Sequence, residues 1–420
     1  MEDRVYFCID MKTFYASVEC AERGLNPFET NLAVTDLSRG KNALCLAVSP
    51  KLKAQGVRNR CRISEIPGSI KYIAAPPRMQ LYIEYAADIY SIYLDYFDPR
   101  DIHVYSIDES FIDATRYLGV YGMTPRELAK RLMDEIAERL HIPSTAGIGT
   151  NLYLAKIALD ITAKHTKDHV GYLTEELYRA TLWDHQPITD FWHVAKGTQA
   201  RLEHNGMRTM RDVANADPEL LYRLFGVDAE LLIDHAWGRE GCTMQNLKSY
   251  HSKTHSISNS QILFEDYAYD DAMVVMLEMV EFLSLKLVDT QTLCKSVSLF
   301  VRYSKDCRLP TGGARKLPQA TDSYQILEKF FLDLYKQSTY LNTPIRQIAV
   351  SANNVVSLTG AEQTLFSVYN IDEEQDRDIQ QAMLDIKGKY GKNAILRGIS
   401  YHKKSTGKIR NQLIGGHNGG

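Results

Sequence analysis

Apolar and polar positions follow two periods along the first 165 residues. The run Val5-Tyr6-Phe7-Cys8-Ile9 predicts a buried strand that ends at Asp10. Residues 13–23 have helical spacing, with Thr13 as a cap and Gly24 as a stop. Short strands are predicted at 31–35 and 43–48 across a Ser38–Lys41 turn, then a basic helix from Pro50 to Gly56 and a strand at 72–74. Residues 78–97 place Leu81, Tyr85, Ile89, Ile92 and Tyr93 on one side of a helix. Thr124, Pro125 and Glu127 open a helix over 124–140 with a capping box. Thr145–Ile148 reads as a strand and Leu152–Lys164 as a helix. Together these elements predict an α/β layer.

At the centre of that layer lies 103–114, where strand-forming Val104, Ile107, Phe111 and Ile112 surround the acidic pair Asp108-Glu109. Neighbours on a regular strand point to opposite faces. For both acids to serve one site the chain must turn beside them, which makes 104–107 and 110–113 the arms of a hairpin. An ordinary exposed acidic turn is the alternative, since such turns are common.

Further on, 175–240 reads as all-helical and 241–249 as a polar linker. A strand–helix–strand, helix–strand pattern then spans about 250–360: His255–Ser258, Asp270–Leu287, Cys294–Tyr303, a basic loop over 304–317, Ser323–Leu341 and Arg346–Val356. Residues 361–420 read as a tail, with an acidic helix at Asp372–Ile386 and a glycine-ended, disordered end.

A length of 420 residues implies several domains, and 45% hydrophobic with 24% charged residues is ordinary for a globular chain. No apolar run of about 18 residues suggests a membrane span, and the charged start does not resemble a signal peptide. Seven cysteines without Cys-x-x-Cys spacing argue against disulfides and structural zinc and fit a reducing cytoplasm. The net charge of −3 gives no hint of nucleic acid, but local charge does. Basic residues cluster at 51–62, 295–316 and 387–410, the pattern of a chain with a polyanion groove.

Three acids, Asp10, Asp108 and Glu109, thus fall at the ends of neighbouring strands, with cations elsewhere. Such a set suits a pair of hard divalent cations and phosphoryl chemistry. The motifs Cys-Ile-Asp-Met-Lys-Thr-Phe-Tyr-Ala-Ser-Val-Glu (8–19), Val-Tyr-Ser-Ile-Asp-Glu-Ser-Phe (104–111) and Ala-Gly-Ile-Gly-Thr-Asn-Leu-Tyr-Leu-Ala-Lys-Ile-Ala (146–158) resemble, in order and spacing, those of the Y-family, or translesion, DNA polymerases. The resemblance covers roughly 4–360 and looks most like the bacterial UmuC-type branch.

The resemblance implies an α+β multidomain right hand. Its parts are a mixed α/β palm (1–18 and 75–165), small fingers (19–74), a helical thumb (166–240) and, after the 241–249 linker, a separate α/β little finger (250–360). It implies two Mg²⁺ ions on Asp10, Asp108, Glu109 and the Met11 carbonyl. It places Phe14 in the nucleotide pocket and Tyr15 at a steric gate against a ribose 2′-OH. Lys53 and Lys164 fall at triphosphate positions, with Lys156 a weaker candidate. DNA contacts are expected from Lys156, Lys196 and Gly197, and from Arg302, Lys305, Arg308, Arg315 and Lys316. Asp113 is not expected to be a ligand. The implied activity is low-fidelity, template-directed DNA synthesis in the cytoplasm, at the nucleoid of a bacterium. Primer–template DNA and dNTP are the substrates. A sliding clamp at Glu362–Phe366 and a recombinase filament or accessory subunits are the further partners.

The sequence departs from the family pattern where Lys12 replaces a frequent acid, Pro50 a tyrosine and Lys53 an arginine. Its thumb turn, Ala195-Lys196-Gly197, has a single glycine where a second is common. Two other readings compete: a non-catalytic DNA-binding factor and a nucleotide cyclase.

Overall fold

The computed structural model describes residues 4–252, 255–305, 307–360 and 371–419. The chain forms two compact units, 1–250 with 417–420, and 251–416. The clamp-like segment Glu362–Phe366 lies outside the described residues.

The first unit is built on a five-stranded sheet in the order Ile102–Val104, Glu109–Asp113, Tyr6–Met11, Ser144–Gly149, Val170–Leu173. Tyr6–Met11 is central, which explains its apolar run: Tyr6, Phe7, Cys8 and Ile9 are all fully buried. It pairs antiparallel with Glu109–Asp113 and with Ser144–Gly149. The predicted hairpin is present with shorter arms: Val104 pairs with Ser110, and Tyr105–Asp108 form the tip. The helix Leu152–Asp160 packs against the sheet so closely that a Cβ at Gly147 would lie 2.1 Å from the Ala155 carbonyl. Val170–Leu173 pairs parallel with Ser144–Gly149, so the sheet runs past the boundary expected at 165.

A smaller three-stranded sheet holds Cys45–Val48, Leu32–Thr35 and Ile73–Ala75. Around Leu52 and Val57 it encloses its own apolar cluster. Helices at Glu175–Thr181, Lys196–His204, Met210–Ala214, Pro218–Phe225 and Asp228–Trp237 form the helical region expected over 175–240. The expected linker is partly a helix instead, Met244–Ser249. Thr243 and Asn246 cap it reciprocally, and Met244 is buried with Tyr6, Cys8 and Phe111.

The second unit is an antiparallel sheet in the order Thr311–Thr321, Thr292–Tyr303, Ile345–Asn353, Ser256–Tyr267. The helices Tyr269–Asp289 and Tyr324–Ser338 bury one sheet face. The basic loop expected over 304–317 is half strand. Its Gly-Gly and Pro318 hid this, because both residue types weaken strand patterns. Here Gly312 at φ 137° sits where a Cβ would meet the Leu299 carbonyl at 2.0 Å. Pro318 lies on the edge strand, where a missing N–H is tolerated.

The expected free tail is also corrected. Its helix Glu373–Tyr390 packs on Tyr269–Asp289, with Arg377 clamping buried Asp322 at 2.7 and 2.9 Å. The Glu278 carboxylate accepts from the Ser405 hydroxyl and from the N–H groups of Thr406 and Gly407. The end of the chain, expected to be disordered, is described to residue 419, whose carbonyl accepts from the Gln80 N–H at 2.7 Å.

Candidate active site

Pairing register brings the three predicted acids together. Asp10 lies directly opposite Glu109, and the Asp108 carbonyl accepts from the Met11 N–H at 2.9 Å. Opposed residues on an antiparallel pair share a face. Burial, then the charges of Asp108 and Glu109, raise the Asp10 pKa to about 8, with Lys156 opposing.

Each of the other two acids has a local partner. The Ser106 hydroxyl donates to Asp108 Oδ1 at 2.6 Å. Glu109, 9% exposed, lies 2.9 Å from Lys156 Nζ through Oε1 and 3.0 Å through Oε2, and the Cys8 thiol donates to Oε1 at 3.1 Å. No three acidic, His or Cys side chains among the described residues form a ready-made metal cage. The donor set itself suits a hard cation, being all oxygen and poor in compensating charge. A cavity of about 50 Å³ adjoins the acids, lined by Met11, Tyr93, Ser106, Asp108 and Glu109 among others. The Tyr93 hydroxyl is buried without a hydrogen-bond partner among the described residues.

Lys156 is therefore not the surface cation that the sequence suggests. It is 9% exposed and also reaches Asp160 at 3.0 Å. The helix Leu152–Asp160 is buried along its whole length except its last residue, so Lys156 is enclosed against the sheet and paired with Glu109 rather than exposed as a DNA-facing cation would be.

Tyr15 stacks on Tyr82, with centroids 4.5 Å apart and planes at 21°, and Phe14 is buried beside it. This stack is fixed from below. Buried Glu19, one helical turn on from Tyr15, accepts from Arg78 at 2.9 and 2.8 Å and from the Tyr82 hydroxyl at 2.8 Å. Burial and the Asp108 charge raise the Tyr15 pKa, and the charge of Arg60 lowers it.

Lys53 is exposed on the short helix Pro50–Ala54. Lys12 is half-buried, with Nζ 5.9 Å from the Phe28 ring centroid; burial and the Lys53 charge lower its pKa. Neither Lys12 nor Lys53 has an ion-pair partner among the described residues. Lys164 is exposed in the turn Thr162–His165, also without one. Sequence reasoning assigns no role to Lys12, Arg60 or Tyr82. Lys12 had a signal, a cation two residues from Asp10; Tyr82 had none.

Lys196 and Gly197 are exposed at the start of the helix Lys196–His204, whose first N–H groups have no side-chain cap. In the second unit, Arg302 alternates with buried Val301 and Tyr303, and Lys316 pairs with Ser296, so both belong to the uncovered sheet face. Arg315 pairs with buried Val297 instead, and donates to Gln337 of a covering helix. Lys305 is exposed, and Arg308 lies over the Tyr340 ring at 4.7 Å.

Comparison with known proteins shows the family and the fold. The impB/mucB/samB family matches residues 9–160, and its C-terminal domain matches 254–365. A Bacillus subtilis (strain 168) protein named for UV-damage repair, UvrX, is 30% identical over 98% of this chain and 96% of its own length. Proteins named DNA polymerase IV 2 are 29% identical in Bacillus subtilis (strain 168) and 28% in Halalkalibacterium halodurans, each over 99% of both chains. These relatives carry polymerase IV and UvrX names. A solved Y-family DNA polymerase chimera shares the fold, with a TM-score of 0.65 at 20% identity, over 84% of this chain and 99% of that one. The chain belongs to the impB/mucB/samB family, the Y-family of translesion DNA polymerases.

Proposed function

We propose that this chain is a low-fidelity, template-directed DNA polymerase that adds dNTPs to a primer 3′-OH at the Asp10–Asp108–Glu109 site. The carrying observation is the register that sets Asp10 opposite Glu109 and beside Asp108; burial first, and then the charges of those two acids, raise the Asp10 pKa to about 8. Such crowding is relieved by cations. Two Mg²⁺ ions on Asp10, Asp108, Glu109 and the Met11 carbonyl would supply Lewis-acid stabilisation of the attacking and leaving oxygens.

The protein's own groups bind and select. Tyr15, backed by Tyr82, closes the sugar side of the pocket against a ribose 2′-OH. Lys53 and Lys164 hold the triphosphate, and Lys12 adds a third charge beside Lys53. Lys196 and Gly197 offer N–H groups to a DNA phosphate. Arg302, Lys305, Arg308 and Lys316 hold the duplex backbone by charge, independent of sequence. A basic sheet of this kind has no use in a nucleotide cyclase. The finer partners proposed are a sliding clamp at Glu362–Phe366 and a recombinase filament or accessory subunits, acting at the bacterial nucleoid.

Primer extension on undamaged and abasic templates with Mg²⁺ tests the reading. Extension on both supports it; cyclic nucleotide from NTP alone, or DNA binding without extension, would replace it with one of the competing readings.

A further inference from the structure

Three aromatic rings join the acidic hairpin to the turn before the Lys196–His204 helix. Tyr105 begins the tip loop that ends at Asp108. Its ring meets Phe111 edge-on at 5.7 Å and Trp192 edge-on at 5.8 Å, and Phe111 lies 5.9 Å from Trp192. The Trp192 indole N–H donates to the Tyr105 hydroxyl at 3.2 Å. That is the hydroxyl's one hydrogen bond among the described residues, although Tyr105 is 46% exposed.

Both ends of this contact are held. Behind Trp192, the nearly parallel ring of His235 lies 6.3 Å away, and Tyr153 stacks on His235 at 3.9 Å. His235 is buried and bonded to Glu240 at 3.0 Å, which also accepts from the Cys242 N–H at 2.7 Å. On the hairpin side, the Tyr105 and Ser106 N–H groups both donate to the Glu109 carbonyl at 3.0 Å, and Ser106 donates to Asp108. A shift of Tyr105 therefore reaches Asp108 through one peptide and one hydroxyl. In sequence, Trp192 lies four residues before Lys196, the proposed phosphate grip.

We propose that Trp192 is a positioning residue: its hydrogen bond to Tyr105 sets the spacing between the DNA-backbone grip at Lys196–Gly197 and the Asp108 carboxylate. The inference rests on the polymerase reading. Primer terminus and carboxylate then arrive in register, the kind of alignment whose loss slows chemistry without weakening nucleotide binding.

Tyr105→Phe removes the acceptor and keeps the ring; Trp192→Phe removes the donor. Single-turnover incorporation on a primer–template should slow about five- to tenfold in each, the scale of one lost positioning hydrogen bond. The apparent dNTP affinity should stay within about twofold, and the double variant should be no slower than either single one. Full-rate incorporation by both variants, losses that multiply in the double variant, or a loss confined to dNTP affinity would overturn the inference while leaving the polymerase reading intact. A wild-type chain unable to extend a primer would overturn both.

Discussion

Glu109 and Lys156 form a buried ion pair, 2.9 Å from Nζ to Oε1, between the acidic hairpin and a helix 47 residues further along the chain. Removing one partner of such a pair strands the other charge away from water, which costs about 3–5 kcal/mol. Lys156→Met should lower stability by that order in EDTA. Denaturant titration measures it, and Mg²⁺ should restore part of the loss by offsetting the freed Glu109 charge.

Stability without metal should fall as pH rises. Asp10 has its pKa raised from 3.8 to about 8 by burial and by Asp108 and Glu109. Between those values the folded chain binds a proton that the unfolded chain has lost, so the slope of stability against pH is negative. The contribution is fully present below about pH 4 and gone once pH passes about 8. Thermal midpoints in EDTA between pH 5 and 8.5 should show the decline, and Asp10→Asn should flatten it.

The Tyr15–Tyr82 stack backs the proposed gate. Tyr15→Ala should raise rNTP incorporation relative to dNTP by roughly 10- to 100-fold, matching about 1–3 kcal/mol of relieved overpacking. Tyr15→Phe, which keeps the ring, should stay near wild type. Parallel rNTP and dNTP kinetics decide this, and unchanged discrimination in Tyr15→Ala would remove the gate assignment.

Lys12 and Lys53 bring like charges together without an acidic partner among the described residues. An anion relieves that repulsion. Lys12→Ala should therefore raise the dNTP KM by about tenfold with kcat little changed, as expected for lost ground-state binding. Steady-state kinetics at two salt concentrations measure it, and the effect should shrink at the higher salt.

Much of the first unit was legible because its periods are strong and its acids sit at strand ends. Asp10 and Asp108-Glu109 could be joined because both motifs bound apolar runs. The role of Lys156 could not be read, since a lysine inside Leu152–Asp160 looks like any helical cation until the sheet is folded beneath it. The strand Thr311–Thr321 was hidden by glycines and a proline that only a close-packed edge strand explains. The packing of the C-terminal stretch rests on polar contacts such as Arg377–Asp322 and the bonds to Glu278, which carry no hydrophobic period. The acids' partners, Ser106 and Cys8, are likewise visible only in three dimensions.

The central claim is that the Asp10–Asp108–Glu109 cluster carries out nucleotidyl transfer. Its most direct test is Mg²⁺-dependent primer extension by wild type and Asp108→Ala, with folding checked by circular dichroism. The account predicts robust extension by wild type and a loss of about 10³-fold or more in the variant, the scale for removing a group that stabilises transition-state charge. Equal extension by a folded Asp108→Ala protein would contradict it.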